Sequence, residues 1–151
     1  MQLLIVGSGP EKERLESQAR ESTLTEQVRF EPWMEYADFC GCIGAADVVV
    51  HPARSDPYGG ITLTAVGLGI PVIGTRQAGS AVELVNDGKS GFLYDAEDVS
   101  ALTANLRRLM HEPGLRVTMA EQARNMAAHW TAPHLADTLV HRLFQDGILR
   151  G

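Results

Sequence analysis

The chain has 151 residues, 44% of them hydrophobic, and a formal net charge of −6, enough apolar material for one ordinary globular core. Both halves are acidic, which argues against a protein that grips nucleic acid through its phosphates. A small anion held by backbone amides stays open, because that needs no net positive charge.

The apolar run LLIVG (3–7) ends at Ser-Gly-Pro and reads as a buried strand. Residues 10–22 follow as a helix, with Pro10 near the start and acids in the first turn. VRFEPW is a second strand, stopped by Pro32. Residues 36–46 form a short helix containing Cys40 and Cys42. This C-x-C lacks the spacing of a zinc site and the numbers of a disulfide scaffold, so it reads as two buried thiols of a reducing cytoplasm. DVVVHP is a third strand, residues 60–69 a helix closed by Gly69, IPVIGT a fourth strand and residues 91–95 a fifth.

The rest is helical. Val99, Leu102, Leu106, Leu109 and Met110 recur at helical spacing behind an Asp95 cap and stop at Pro113-Gly114. Residues 115–128 and 134–144 supply two more amphipathic helices. Continuous apolar strands alternating with helices predict an α/β domain, a Rossmann-like doubly wound parallel sheet with helices on both faces and a helical C-terminal extension. Residues 1–151 read as a single domain. Such sheets bind ligands beyond the C-terminal ends of their strands, which puts loops 7–10, 31–35, 51–60 and 75–82 at the ligand edge. No signal peptide and no apolar run of roughly 18 residues is seen, an expectation of cytoplasmic residence.

The loops carry the candidate chemistry. Gly7 opens a G-x-G that lacks the third glycine of a dinucleotide fingerprint and meets Glu11 and Glu13, so it reads as a turn needing glycine. Trp33 and Met34 offer a flat apolar face for a nucleobase; a core-capping tryptophan is the structural alternative. The stretch DPYGG (56–60) stands where a two-residue connection would suffice. Gly59 and Gly60 carry no Cβ and open a helix whose free amides attract phosphate. Pro57 stiffens the turn and Tyr58 packs beneath it, a plain structural turn being the alternative. Arg54 faces phosphates or solvent, and His51 reaches toward a sugar or is a satisfied structural histidine. The amides of Gly79 and Ser80 shape a sugar pocket, with Glu83 a helix-turn residue. His111, His129, His134 and His141 receive no role, and no metal ligand is expected.

Four segments taken together resemble one family. These are LLIVGSGPEKERLE, VRFEPW, CIGAADVVVHPARSDPYGGITLTAVGLGIPVIGT and AGSAVELVNDGKSGFLYDAEDVSALTANLRRLM. In this order and spacing they are similar to the C-terminal, donor-binding domain of GT-B-fold glycosyltransferases of family 4, over the whole chain. The resemblance implies a retaining, metal-independent transfer from a UDP- or GDP-linked sugar to a glycan or lipid-linked acceptor, in the cytoplasm or at its membrane surface. It implies two acids eight positions apart, one for the sugar and one for the ribose. Here they are Asp56, shorter than the usual glutamate, and Thr64, which cannot accept as a carboxylate does. The family's basic pair for the diphosphate belongs to a strand and helix ahead of LLIVG. The chain is therefore read as lacking its first unit and its acceptor domain, inactive alone and prone to self-association. The alternatives are a degenerate nucleotide-binding module without transfer, and a domain that works by pairing with another chain.

Overall fold

The computed structural model describes residues 1–22, 24–130 and 132–145. They divide into two compact units, Met1–Gly41 and Cys42–Gly151.

In the first unit, β1 (Leu3–Val6) pairs in parallel with β2 (Val28–Glu31), Leu3 opposite Val28 and Val6 opposite Glu31. The crossover carries α1 (Lys12–Glu21) and a single 3-10 turn at Thr25–Gln27 that the sequence does not announce. β1 is not the buried strand its composition suggests. Among the described residues it pairs with β2 alone, and Leu3 and Leu4 are exposed. α2 (Tyr36–Gly44) runs across the boundary between the units. Its Cys40 and Cys42 are half-buried, where the sequence suggests full burial.

In the second unit β3 (Val49–His51), β4 (Val72–Thr75) and β5 (Gly91–Tyr94) form a parallel sheet in that order. Crossovers through α3 (Gly60–Gly67) and α4 (Gly79–Leu84) make the parallel pairing possible. β4 is buried along its whole length, as a central strand between two neighbours must be. Ile73, Phe92, Tyr94, Leu109 and Met119 form the core beside it, and burial pushes the Tyr94 phenol up from its ordinary pKa. Gly69 closes α3 at φ +72°, as its sequence suggests: a left-handed residue there lets the amides of Gly69 and Ile70 reach back to Val66 and Ala65.

One helix signal sits elsewhere than expected. The cap of α5 (Val99–His111) is Asp98, not Asp95, because only Asp98 lies three residues before a free amide; it accepts from the Ala101 N–H at 2.8 Å. α5 stops at His111 just ahead of Pro113, as the sequence suggests, and Pro113 also starts α6 (Pro113–Ala127), where its missing N–H costs nothing. α7 spans Ala132–Gln145. Among the described residues no helix is long and apolar enough to cross a membrane. Among the described residues all strand pairs are parallel, and the fold is α/β, as the sequence predicts.

Candidate functional site

Residues 51–60 leave β3 at its C-terminal end and enter α3. They are tied down from below by polar groups of β4 and α4. The Thr75 hydroxyl donates to the Ala53 carbonyl at 2.6 Å. The amide of Asp56 donates to Gln77, and the amides of Gly79 and Ser80 donate to the carbonyls of Asp56 and Tyr58. The Ser80 hydroxyl donates to the Gly59 carbonyl at 2.6 Å. Thr75 and Ser80 are fully buried, so these bonds have no competition from water. The Gly79 and Ser80 amides thus serve the loop and are not presented to a ligand. Gly79 also permits the approach itself, since a Cβ there would overlap the Pro57 carbonyl oxygen.

Within the loop, Asp56 makes an Asx turn: its Oδ1 accepts from the Tyr58 amide at 3.1 Å. Its Oδ2 lies 3.3 Å from His51 Nε2, and His51 Nδ1 lies 2.9 Å from the Thr62 hydroxyl. Gly59 takes φ +84° immediately before α3. A Cβ there would overlap His51 Cε1 and lie 2.9 Å from Asp56 Oδ2. Gly60 is the opposite case: exposed, first in α3, and with nothing within 4 Å of where its Cβ would be. Its amide and that of Ile61 have no intrahelical acceptor, because the first turn of any helix leaves its donors outward. The neighbouring glycines therefore do different work, Gly59 allowing the loop to close and Gly60 keeping the helix entrance open.

The other predicted residues fall as follows. Thr64 lies one turn into α3 on the same face as Gly60, half-buried, with its hydroxyl donating to the Gly60 carbonyl at 3.1 Å. Tyr58 does not pack beneath the turn; its ring is 43% exposed, because the space below is filled by Ser80 and the α4 backbone. Pro57 is exposed beside it. Arg54 pairs with Glu97 at 3.2 Å, both side chains largely solvated, a contact of little energetic weight. His51 is buried with both ring nitrogens engaged, so it does not reach out toward a ligand. Gly7, Trp33 and Met34 belong to the first unit. Gly7 takes φ 134° after β1 and donates to Glu31, and Trp33 is 68% exposed and caps no core. Among the described residues no group of three His, Cys, Asp or Glu side chains is arranged to hold a metal ion.

Sequence reasoning missed the three hydroxyls of Thr62, Thr75 and Ser80. The available signal was their place inside apolar runs, where a small polar residue needs a partner.

Residues 1–126 match the family described as glycosyl transferases group 1. The chain belongs to this family. Its relatives include D-inositol 3-phosphate glycosyltransferase of Corynebacterium jeikeium (strain K411), 34% identical over 138 residues, which are 91% of this chain and 32% of that protein. The lipopolysaccharide core biosynthesis glycosyltransferase LpsD of Rhizobium meliloti (strain 1021) is 33% identical over 149 residues, 98% of this chain and 42% of the relative. Among solved structures, Anabaena Alr3699/HepE in complex with UDP superposes with a TM-score of 0.79 at 25% identity, over 93% of this chain and 41% of that one. These matches bear out the resemblance and the Rossmann-like half of a GT-B fold read from the sequence. The chain spans about a third of the length of the first of these glycosyltransferase relatives.

Proposed function

We propose that this chain is the donor-binding part of a retaining glycosyltransferase, taking a UDP- or GDP-linked sugar and serving transfer to a glycan or lipid-linked acceptor. The observation that carries the reading is the contrast at 59–60: a loop closed and hydrogen-bonded behind Gly59, and an unobstructed helix entrance at Gly60. UDP in the related HepE structure supports a nucleoside diphosphate as the ligand. In this reading the diphosphate lies against the amides of Gly60 and Ile61, where the helix dipole favours an anion. The same amides stabilise the charge that grows on the leaving phosphate as its bond to the sugar breaks. Asp56 faces the sugar. Arg54 is assigned to the rim. No protein nucleophile and no metal ion enters this scheme. Acceptor binding belongs to the part of such proteins outside the matched third, so residues 1–151 alone bind donor without turnover. The setting is cytoplasmic, at the membrane surface where the acceptor is lipid-linked.

A second reading, a nucleotide-binding module without transfer, draws support from one observation. Thr64 stands where the family resemblance expects a carboxylate, and its hydroxyl is occupied by the Gly60 carbonyl.

Paired calorimetric titrations with UDP and UDP-glucose test the assignment. Asp56→Asn is expected to leave UDP affinity within about twofold and to weaken UDP-glucose about tenfold, the weight of a hydrogen bond to a charged acceptor. Equal loss of both ligands would show that the acid only holds the loop.

A further inference from the structure

We propose that His51 is a positioning residue for the donor: its ring, pinned by Thr62, fixes one oxygen of Asp56 so that the carboxylate meets the sugar in a single orientation. The proposal rests on the reading of Asp56 as the sugar-facing acid.

The polarity of the chain of hydrogen bonds follows from what each group can do. An ionised carboxylate only accepts, so the proton between Asp56 and His51 belongs to Nε2. A neutral ring then has a bare Nδ1, which accepts from the Thr62 hydroxyl at 2.9 Å. Donation runs one way, from Thr62 through His51 to Asp56. Thr62 is fully buried and His51 only 6% exposed, so neither has water as an alternative partner. The opposite tautomer would set a ring lone pair against a carboxylate inside the protein, which is costly.

Thr62 is the third residue of α3, the helix that begins at Gly60. The same ring therefore registers the acid against the helix entrance assigned to the diphosphate. Asp56 remains 34% exposed. With Oδ1 held by the Tyr58 amide and Oδ2 by His51, about two of its four lone-pair sites stay open, and they can take only donors such as hydroxyls. Gly59 shuts the ring in from the other side, since any Cβ there overlaps Cε1.

The test uses residues 1–151 with 15N-labelled histidine. Long-range proton–nitrogen correlation is expected to show His51 protonated on Nε2 and bare on Nδ1. In Asp56→Asn, whose amide can itself donate, the proton is expected to move to Nδ1. Calorimetry then compares two variants: His51→Phe, which keeps a ring without donors, and His51→Gln, which restores an N–H near Nε2. His51→Phe should lose about tenfold for UDP-glucose and less than about twofold for UDP, and His51→Gln should stay within about threefold of wild type for both. A wild-type ring protonated on Nδ1 would overturn the proposal, as would equal loss of both ligands, or no loss, in His51→Phe. If His51→Phe does not fold, the wild-type tautomer and its inversion in Asp56→Asn decide. Absence of both UDP and GDP binding by the wild type would count against the donor-binding reading, and the tautomer then decides the hydrogen-bond relay by itself.

Discussion

Gly59→Ala is expected to destabilise the protein by roughly 2–5 kcal/mol, a Tm loss of about 5–15 °C for a chain of this size. Two costs add. At φ +84° an L residue sits in the left-handed region, which costs about 1–2 kcal/mol. The new Cβ also overlaps His51 Cε1 and crowds Asp56 Oδ2, so the ring must leave its place between Thr62 and Asp56 or the loop must shift. Gly60→Ala is the control. Its Cβ meets nothing within 4 Å, and replacing a helical glycine by alanine is expected to be neutral or to stabilise by about 0.5 kcal/mol. Urea denaturation of the two variants beside wild type measures the difference. Equal stability would mean that the loop is not closed around Gly59 as described.

Thr64→Glu carries the second large effect. Position 64 lies one turn below Gly60 on the same face of α3, half-buried. Thr64 now spends its hydroxyl on the Gly60 carbonyl. A glutamate there places a carboxylate beside the proposed diphosphate site, where the two ribose hydroxyls need an acceptor. A charge-assisted hydrogen bond contributes roughly 1.5–3 kcal/mol, so UDP should bind about tenfold or more tightly. A fall in affinity with an unchanged melting temperature would show that the ribose does not face this helix position, and would favour the module without transfer.

Much of the fold was legible because its signals are local. LLIV, VVH, VIGT and GFLY are short apolar runs ended by glycine, proline or a polar residue, and each became a strand. At α4 the sequence suggests only a helix turn at Glu83, because six residues show no helical period against chance. Asp95 and Asp98 are equivalent as letters. Only the position of the first free amide separates them, and that is a property of the folded turn. The same holds at the candidate site. The sequence marks DPYGG as unusual but treats Gly59 and Gly60 alike, whereas Gly59 is needed for the contact with His51 and Gly60 stands in open space at the helix entrance. The buried hydroxyls of Thr62, Thr75 and Ser80 were missed because their partners are backbone carbonyls and a histidine ring 11 to 22 positions away. Tyr58 stands where the resembling family has a phenylalanine, which suggests a place beneath the turn, but Ser80 and α4 already fill that space.

UDP titrated into residues 1–151, with backbone amide shifts followed by heteronuclear NMR, is the most direct test of the donor site. Expected are saturable shifts that centre on Gly59, Gly60, Ile61, Thr62 and Thr64, and that weaken when UDP is replaced by uridine, which lacks the diphosphate. No shift at these amides up to millimolar UDP or GDP, or shifts confined to α5 and α6, would contradict the assignment of the α3 entrance to the nucleoside diphosphate.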